Sequence, residues 1–309
     1  MLRQLPLALA SGLGSAVLYA AALSGSFFGI VLAYLAMLPL FAVGLALGIQ
    51  PLVVAAVSAA AGIAVFGGLW PGILFGLTNA LPVTLLVVLA LQSRTWSDGK
   101  TYWYPAGRLV QVVSLWCAGS IVLAGLGLSV FGSGFETSVV GFIRSMAEAL
   151  HSQGQLILNA DAATGVAVLL PGIIAWSWMV MSTVNGLIGQ SVLRRVGKNL
   201  RPTPRLSEVE VGPAWVAGFG VCALAGAALP GDLGFGAVNM AIVLAYPLFF
   251  QGLSVAHALF AHWGLGPLVI GLFYGVMVLL SWTALAVIAL GLAEPLVRLR
   301  VRLADRKNT

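Results

Sequence analysis

The segment that decides the fold reads PLALASGLGSAVLYAAALSGSFFGIVLAYLAMLPLFAVGLALGIQPLVVAAVSAAAGIAVFGGLWPGILFGLTNALPVTLLVVLAL over residues 6–91, and it contains no Asp, Glu, Lys or Arg. A bilayer core is about 30 Å thick, and about 20 residues of α-helix are needed to cross it. The segment therefore has room for roughly four crossings before the first polar break at residues 92–100. Its uninterrupted apolar character predicts that it lies in a membrane.

The composition of the whole chain agrees with a membrane protein. Of the 309 residues, 60% are hydrophobic and 8% are charged, whereas soluble domains carry about 25% charged residues. The net charge of +6 is not a nucleic-acid signal, because the basic residues fall in short loops and in the C-terminal tail. We expect an all-α, polytopic transmembrane helix bundle in contact with lipid. One such domain is predicted over residues 1–297, followed by a basic cytoplasmic tail at 298–309.

Hydropathy, together with glycine and proline at the turns, places the helices. The candidate spans are 5–23, 28–48, 51–69, 72–91, 108–130, 163–190, 213–229, 236–262 and 266–292. Lys and Arg cluster in the loops 92–108 and 191–212 and in the tail, and cytoplasmic loops are the ones enriched in these residues. The sequence thus predicts a multi-pass protein of a bacterial inner membrane, with its N- and C-termini in the cytoplasm.

This orientation does not fit nine simple crossings, and about eight are expected. Loop 230–235 is predicted outside, so two further crossings would place the basic tail outside as well. Segment 236–262 contains Pro247 and Gly252, and proline removes a helix hydrogen bond while glycine weakens a helix. We therefore predict a broken or re-entrant helix pair there. The alternative is one long tilted helix, with a span miscounted elsewhere.

Residues 137–150 differ from the spans. Their apolar side chains recur at helical spacing, with Arg144, Ser145 and Glu148 between them. This pattern predicts an amphipathic helix lying on the outer membrane surface. A lid over an outward-facing site is the alternative.

The first span carries a row of small residues at every fourth position: Ala8, Gly12, Ala16 and Ala20. Small residues let the backbones of two helices approach closely in a membrane. The row therefore predicts either packing within the chain or a docking face for another membrane subunit.

Of the 15 basic and 9 acidic residues, only Arg108 falls within the limits of a predicted span, as the first residue of 108–130. Charged residues inside the membrane mark proton pumps, voltage sensors and ion-coupled carriers, so these classes are not expected. The chain has no Walker A, GxGxxG, HExxH or CxxC motif. His257 and His262 are poorly spaced for a shared metal ion, and no third ligand is evident. We expect no enzyme activity, no metal and no cofactor.

Neutral polar side chains within the spans are the remaining candidates for function. They can line a pocket for a small neutral or amphipathic ligand, or they can form interhelical hydrogen bonds of about 0.6 kcal/mol each. Helical periodicity places several of them on shared faces, Ser182 with Asn185 for example. The predicted ligand-binding residues are Asn185, Asn239, Tyr246, Gln251 and His257.

Short motifs in the C-terminal half carry a family resemblance. They are Asn185, Arg194-Arg195-Val196-Gly197, Pro213-Ala214-Trp215, Asn239 with Phe250-Gln251-Gly252-Leu253, and Gly291-Leu292-Ala293-Glu294-Pro295 before the arginine-rich tail. With them the chain resembles the YybS-like family of uncharacterised bacterial integral membrane proteins, which is distantly similar to substrate-binding components of energy-coupling-factor transporters. The resemblance implies a neutral-cored helix bundle that captures a small molecule and docks to a partner through small residues of its first helix.

Together these patterns favour a transporter-like, non-enzymatic inner-membrane protein that binds a small neutral or amphipathic ligand in its helix bundle. Because the chain has no ATP-binding motif, an energising ATPase would be a separate partner. A structural or scaffolding membrane protein without a ligand is the alternative. An enzyme acting on lipid is the least favoured class, because no buried acid–base pair is predicted.

Overall fold

The computed structural model describes residues 4–152, 165–300 and 302. The chain divides into two compact units, Met1–Val113 with Val180–Arg205 and Ser114–Met179 with Leu206–Thr309. Asp161 and most of the predicted basic tail lie outside the described residues. Within the described residues the architecture is all-α apart from one small hairpin, which confirms the predicted class.

The first unit contains the charge-free segment. Its elements are α1 (Leu5–Ala20, continued by a 3-10 turn Ala21–Ser24), α2 (Phe27–Tyr34), α3 (Leu38–Leu47), α4 (Ile49–Gly67), α5 (Leu69–Phe75), a π-helical turn (Gly76–Ala80), α6 (Leu81–Ala90), β1 (Ser93–Thr95), β2 (Thr101–Trp103) and the start of α7 (Ala106–Phe131). Taken as combined helices, α1 to α6 give four stretches long and apolar enough to cross a membrane. The four predicted N-terminal crossings are thus confirmed by length and composition.

Helix α1 packs against α4 through its small residues. A Cβ atom on Gly12 would collide with the backbone carbonyl of Ala55, so the two helices approach more closely than any larger residue would allow. Ala8 and Ala16 are also buried, whereas Ala20 is exposed. The small-residue row therefore serves packing within the unit at three of its four positions, and a docking face for another subunit stays a prediction.

The second unit is built around one long helix. Its elements are the remainder of α7, α8 (Phe135–Ser152), the first part of α9 (Leu170–Arg195), a 3-10 turn (Leu206–Glu208), α10 (Pro213–Ala228), α11 (Gly231–His262), α12 (Pro267–Leu279) and α13 (Thr283–Val297). Helix α11 packs against both α10 and α13. Helix α8 confirms the predicted amphipathic helix, and its place on the outer membrane surface stays a prediction.

Asp232 joins the start of α11 to the start of α8. Its Oδ2 accepts hydrogen bonds from Phe135 N and Ser129 Oγ, both at 2.8 Å, and its Oδ1 accepts from Glu136 N at 2.9 Å. The first amides of a helix have no partner within the helix, and a carboxylate there is favoured by the helix dipole. One acidic side chain therefore caps α8.

The predicted break in 236–262 is wrong, because α11 runs as one helix of 32 residues through Pro247. Proline lacks the amide that would bond to Val243 O. Ser114 Oγ donates to that carbonyl instead at 2.8 Å, and Trp215 Nε1 donates to the next carbonyl, Leu244 O, at 2.9 Å. Neighbouring helices thus supply the donors that the helix itself lacks, and it stays continuous.

The sharp bend lies one helix later. Helices α12 and α13 meet at a 115° angle across residues 280–282, where a single span over 266–292 was predicted. In the described part of the chain, seven helices are long and apolar enough to cross a membrane, or eight if the bent pair is one span. This number agrees with the roughly eight crossings that the predicted orientation requires.

Candidate functional site

The second span of the first unit is a discontinuous helix. Helix α2 ends at Tyr34, and α3 begins at Leu38 with Pro39 as its second residue. In a continuous helix the ring of Pro39 would clash with Leu35 O, four residues earlier. Leu38 N donates to Leu35 O (3.0 Å) rather than to Tyr34 O. The turn at residues 35–37 thus releases backbone carbonyls near the centre of a span.

Polar side chains from two other helices bond to these carbonyls. Asn185 of α9 donates from Nδ2 to Tyr34 O at 2.7 Å, and Ser15 of α1 donates from Oγ to Ala36 O at 2.5 Å. Ser15 and Asn185 are both buried. Irregular backbone at membrane depth persists only where it is buried in protein or lines a cavity, and here neighbouring side chains enclose it.

The fourth span is also irregular near its centre. The π-helical turn Gly76–Ala80 separates α5 from α6, and Pro82 follows two residues later. Asn79, which is buried in this turn, donates from Nδ2 to Thr78 Oγ1 at 2.9 Å. Turns of this kind are frequent at functional sites. Two of the four N-terminal spans are therefore irregular near their centres, one next to buried polar side chains of other helices and one around its own Asn79.

Two buried polar atoms near the middle of α9 keep unused hydrogen-bonding capacity, and Gln190 Oε1 near its end is a third. Ser182 Oγ and Asn185 Oδ1 have no hydrogen-bond partner among the described residues, and each side chain is 1% exposed. Residues three apart share a helix face. Buried polar atoms are nearly always bonded, so this pair is the strongest candidate for contact with a bound molecule. We call Ser182 and Asn185, with the turn at residues 35–37, the mid-depth site.

The chemistry of the mid-depth site is neutral. Residues 6–91 and 180–193 contain no charged side chain, so an ionised ligand would find no counter-charge there. Asn185 Oδ1 can only accept a hydrogen bond, whereas the Ser182 hydroxyl can donate or accept. The arrangement suits an uncharged molecule that offers at least one N–H or O–H group.

Asn239, another predicted ligand-binding residue, is occupied by backbone groups of the second unit. Its Oδ1 accepts from Gly172 N at 2.7 Å, and its Nδ2 donates to Val168 O (2.9 Å) and Phe235 O (2.8 Å). Gly172 and Val168 would bond to each other in a continuous helix. The Asn239 amide is inserted between them at the start of α9, which is a structural role.

Tyr246 and Gln251 are likewise bonded to backbone groups. Tyr246 donates from its hydroxyl to Met179 O at 2.9 Å. Gln251 accepts from Val211 N at 2.5 Å and donates to Gly291 O at 2.7 Å. Gly291 O is the carbonyl that Pro295 leaves without its helical partner. Both side chains are fully buried and hold neighbouring elements to α11.

His257 lies near the C-terminal end of α11 in an aromatic cluster. Its Nδ1 is 2.9 Å from Leu253 O, and its ring contacts the rings of Phe260 and Tyr274 at centroid distances of 6.0 Å and 5.8 Å. Of the five predicted ligand-binding residues, Asn185 belongs to the first unit and the other four to the second. Only Asn185 is among the residues with a buried, unpartnered atom.

A half-buried ion pair at the end of α13 is a feature that the sequence did not predict. Arg300 Nε donates to Glu294 Oε1 at 3.0 Å, and Arg300 Nη1 donates to Val209 O (3.0 Å) and Ser254 Oγ (3.1 Å). Asp232 and Glu294 lie just outside the predicted spans 236–262 and 266–292. Both lie inside helices that extend beyond the predicted limits of 292 and 236.

Similarity to known proteins exists at the level of a family. The family model described as "Predicted membrane protein (DUF2232)" matches residues 15–294. The chain belongs to the DUF2232 family. No curated protein matches the chain, and no solved structure does.

The DUF2232 match extends from Ser15 to Glu294 and so includes the mid-depth site and all of α11. It establishes a membrane-protein family for most of the chain. The resemblance to YybS-like proteins and to energy-coupling-factor transporters is finer than this match and stays a prediction.

Proposed function

We propose that this DUF2232 protein is a transporter-like, non-enzymatic membrane protein that binds a small neutral or amphipathic ligand at the mid-depth site. The observation that carries the proposal is the pair of buried, unpartnered atoms, Ser182 Oγ and Asn185 Oδ1, beside a discontinuous span. Many transporters bind their substrates near the bilayer midplane, at helices whose backbone is interrupted. An energising ATPase would be a separate partner, as in the transporters that the sequence resembles.

Ser182 offers the cleanest test, because its hydroxyl has no protein partner among the described residues. We expect Ser182→Ala to leave the melting temperature in detergent unchanged and to weaken ligand retention about tenfold, the effect of one hydrogen bond of about 1.4 kcal/mol. Native mass spectrometry of gently solubilised protein measures the fraction that carries a retained small molecule.

Ser120→Ala is the matched control for this test. Ser120 is exposed and bonds only to Trp116 O of its own helix, at 2.9 Å. The control is expected to retain the same mass as the wild type. Equal retention by the Ser182 and Ser120 variants, or a wild type that carries no small molecule, would contradict the proposed site.

A scaffolding protein without a ligand is the second candidate, and the second unit favours it. Hydrogen bonds to backbone groups occupy the side chains of Asn239, Tyr246 and Gln251. If every neutral polar residue had this role, wild-type protein would release no small molecule on denaturation.

The orientation that we propose places the N- and C-termini in the cytoplasm. Arg300 Nη1 donates to Ser207 O and Val209 O, at 3.2 Å and 3.0 Å. The start of the tail therefore lies on the same side as residues 207–209, which belong to the basic loop 191–212. Helices α10 and α11 would each cross once, so the bent pair α12–α13 must return to the side on which it enters. A re-entrant pair at 267–297 satisfies this condition.

Cysteine labelling tests this orientation. Single cysteines at Trp263 and Arg302, on a background without Cys117 and Cys222, are expected to react only with reagent added from the cytoplasmic side. A cysteine at Ser133, between α7 and α8, is expected to react only from outside and serves as the control. Labelling of the Trp263 and Arg302 positions from opposite sides would show that α12–α13 crosses the membrane.

A further inference from the structure

The first unit collects its exposed cations in two loop regions. Seven basic side chains are exposed there, and Asp98 is the one acidic residue in the same unit. The basic side chains are Arg94, Lys100, Arg108, Arg194, Arg195, Lys198 and Arg205. Asp98 Oδ1 accepts from the backbone amide of Lys100 at 2.9 Å and so serves the hairpin turn.

A buried arginine holds the two loop regions together. Arg201 donates from Nη1 to Ala90 O and from Nη2 to Tyr104 O, each at 2.9 Å. Its own carbonyl accepts from Gln190 Nε2 at 2.7 Å, and Leu200 N donates to Leu45 O at 3.0 Å. The ends of α3 and α6, the β1–β2 hairpin and the segment after α9 therefore meet at one end of the unit. The seven cations form a single basic surface.

The β1–β2 hairpin projects from this surface. Ser93 pairs with Trp103 and Thr95 with Thr101, and almost every residue of the two strands is exposed. An isolated two-stranded hairpin is at best marginally stable in water. Trp96 is 62% exposed and Tyr102 is 53% exposed, and these two residue types are enriched where a bilayer meets water.

The basic surface has no acidic partner in an ion pair among the described residues. Among the described residues the one ion pair is Arg300 with Glu294, which belongs to the second unit. Seven exposed positive charges against one negative charge leave a strong uncompensated field next to the ends of apolar helices. Polybasic segments beside membrane spans are attracted to anionic lipid.

We propose that this basic surface binds the headgroups of anionic phospholipids, with the hairpin lying at the bilayer surface. The helix ends place the cations at headgroup level. Trp96 and Tyr102 have amphipathic rings of the kind found where a bilayer meets water. Binding of a soluble acidic protein would not require such rings, so they favour lipid as the ligand. The proposal does not depend on the mid-depth site, because the residues and the ligand chemistry are different.

Lipid titration of the purified full-length protein in a nonionic detergent tests the proposal. We expect phosphatidylglycerol to bind at least about tenfold more tightly than phosphatidylcholine, and the difference to shrink as salt is raised from about 0.05 to 0.5 M. Arg94→Gln with Lys100→Gln is expected to weaken phosphatidylglycerol binding about 25-fold, roughly fivefold for each charge. Inorganic phosphate is expected not to displace the lipid.

Arg144→Gln on α8 is the matched control, since Arg144 is an exposed cation of the other unit. This variant is expected to change neither the affinity for phosphatidylglycerol nor the affinity for phosphatidylcholine. Arg194→Gln with Lys198→Gln gives a second, independent pair on the same surface, which serves if the hairpin variant does not fold. The proposal would be overturned by equal affinity for the two lipids, by binding that does not depend on salt, or by displacement of the lipid by phosphate. It would also be overturned if the hairpin variant and the Arg144 variant bound phosphatidylglycerol equally well.

Discussion

Replacing Asn239 with leucine is expected to lower the free energy of unfolding by about 3 kcal/mol, because three buried backbone groups lose their partner together. Those groups are Gly172 N, Val168 O and Phe235 O. Interhelical hydrogen bonds in membranes average about 0.6 kcal/mol, but here the substitution leaves the partners buried and unpaired. The apparent melting temperature in detergent should fall by about 5–10 °C.

Asn199→Leu provides a graded control for the Asn239 variant. Asn199 donates one hydrogen bond, to Arg201 O at 2.7 Å. Its loss is expected to cost about 1 kcal/mol. Equal and small losses for both variants would show that the Asn239 amide is dispensable at the start of α9.

Substituting Gly291 with alanine is expected to destabilise the second unit by about 2–3 kcal/mol through overpacking. A Cβ atom at Gly291 would overlap Leu248 O, and one at Gly252 would overlap Val287 O. Because the obstructing atoms belong to the backbone, no side chain can move aside to make room. Helix α13 would have to shift away from α11, which would also lengthen the bond from Gln251 to Gly291 O.

Gly275→Ala in α12 separates this effect from the helix preference of alanine. A Cβ atom at Gly275 would meet nothing within 4 Å, and alanine is favoured over glycine in a helix by about 1 kcal/mol. This control should be neutral or slightly stabilising in the same detergent melt. A Gly291 variant as stable as the Gly275 variant would mean that the close approach of α11 and α13 is not needed.

The absence of charge over residues 6–91 predicted four N-terminal crossings correctly, because apolar length alone decides whether a segment enters lipid. The breaks were harder to place. Pro247 lies within an unbroken helix, whereas the span that contains Pro39 is interrupted. The carbonyl that Pro247 leaves free accepts a hydrogen bond from Ser114, which is 129 residues away in sequence, and no local pattern reveals that contact. The bend at 280–282 contains neither proline nor glycine, so hydropathy and turn residues could not indicate it.

The candidate site was predictable only in part. The shared face of Ser182 and Asn185 follows from helical spacing. Asn239 and Gln251 have the same polar character in the sequence, yet their amides bond to backbone groups freed near prolines or at helix starts. Tertiary contacts decide which side-chain amide keeps an atom without a hydrogen-bond partner. The sequence also gave no indication of Arg201 and Arg300, whose charged ends bond to backbone carbonyls of distant loops.

The Ser114 bond to Val243 O has a consequence for biogenesis. Ser114 leaves the ribosome 129 residues before Val243, which is roughly ten seconds at ordinary speeds of translation. The donor is therefore already in the bilayer when the proline-containing helix emerges from the translocon. As that helix enters the lipid, Val243 O can accept its hydrogen bond from Ser114 at once, because the donor has already been synthesised.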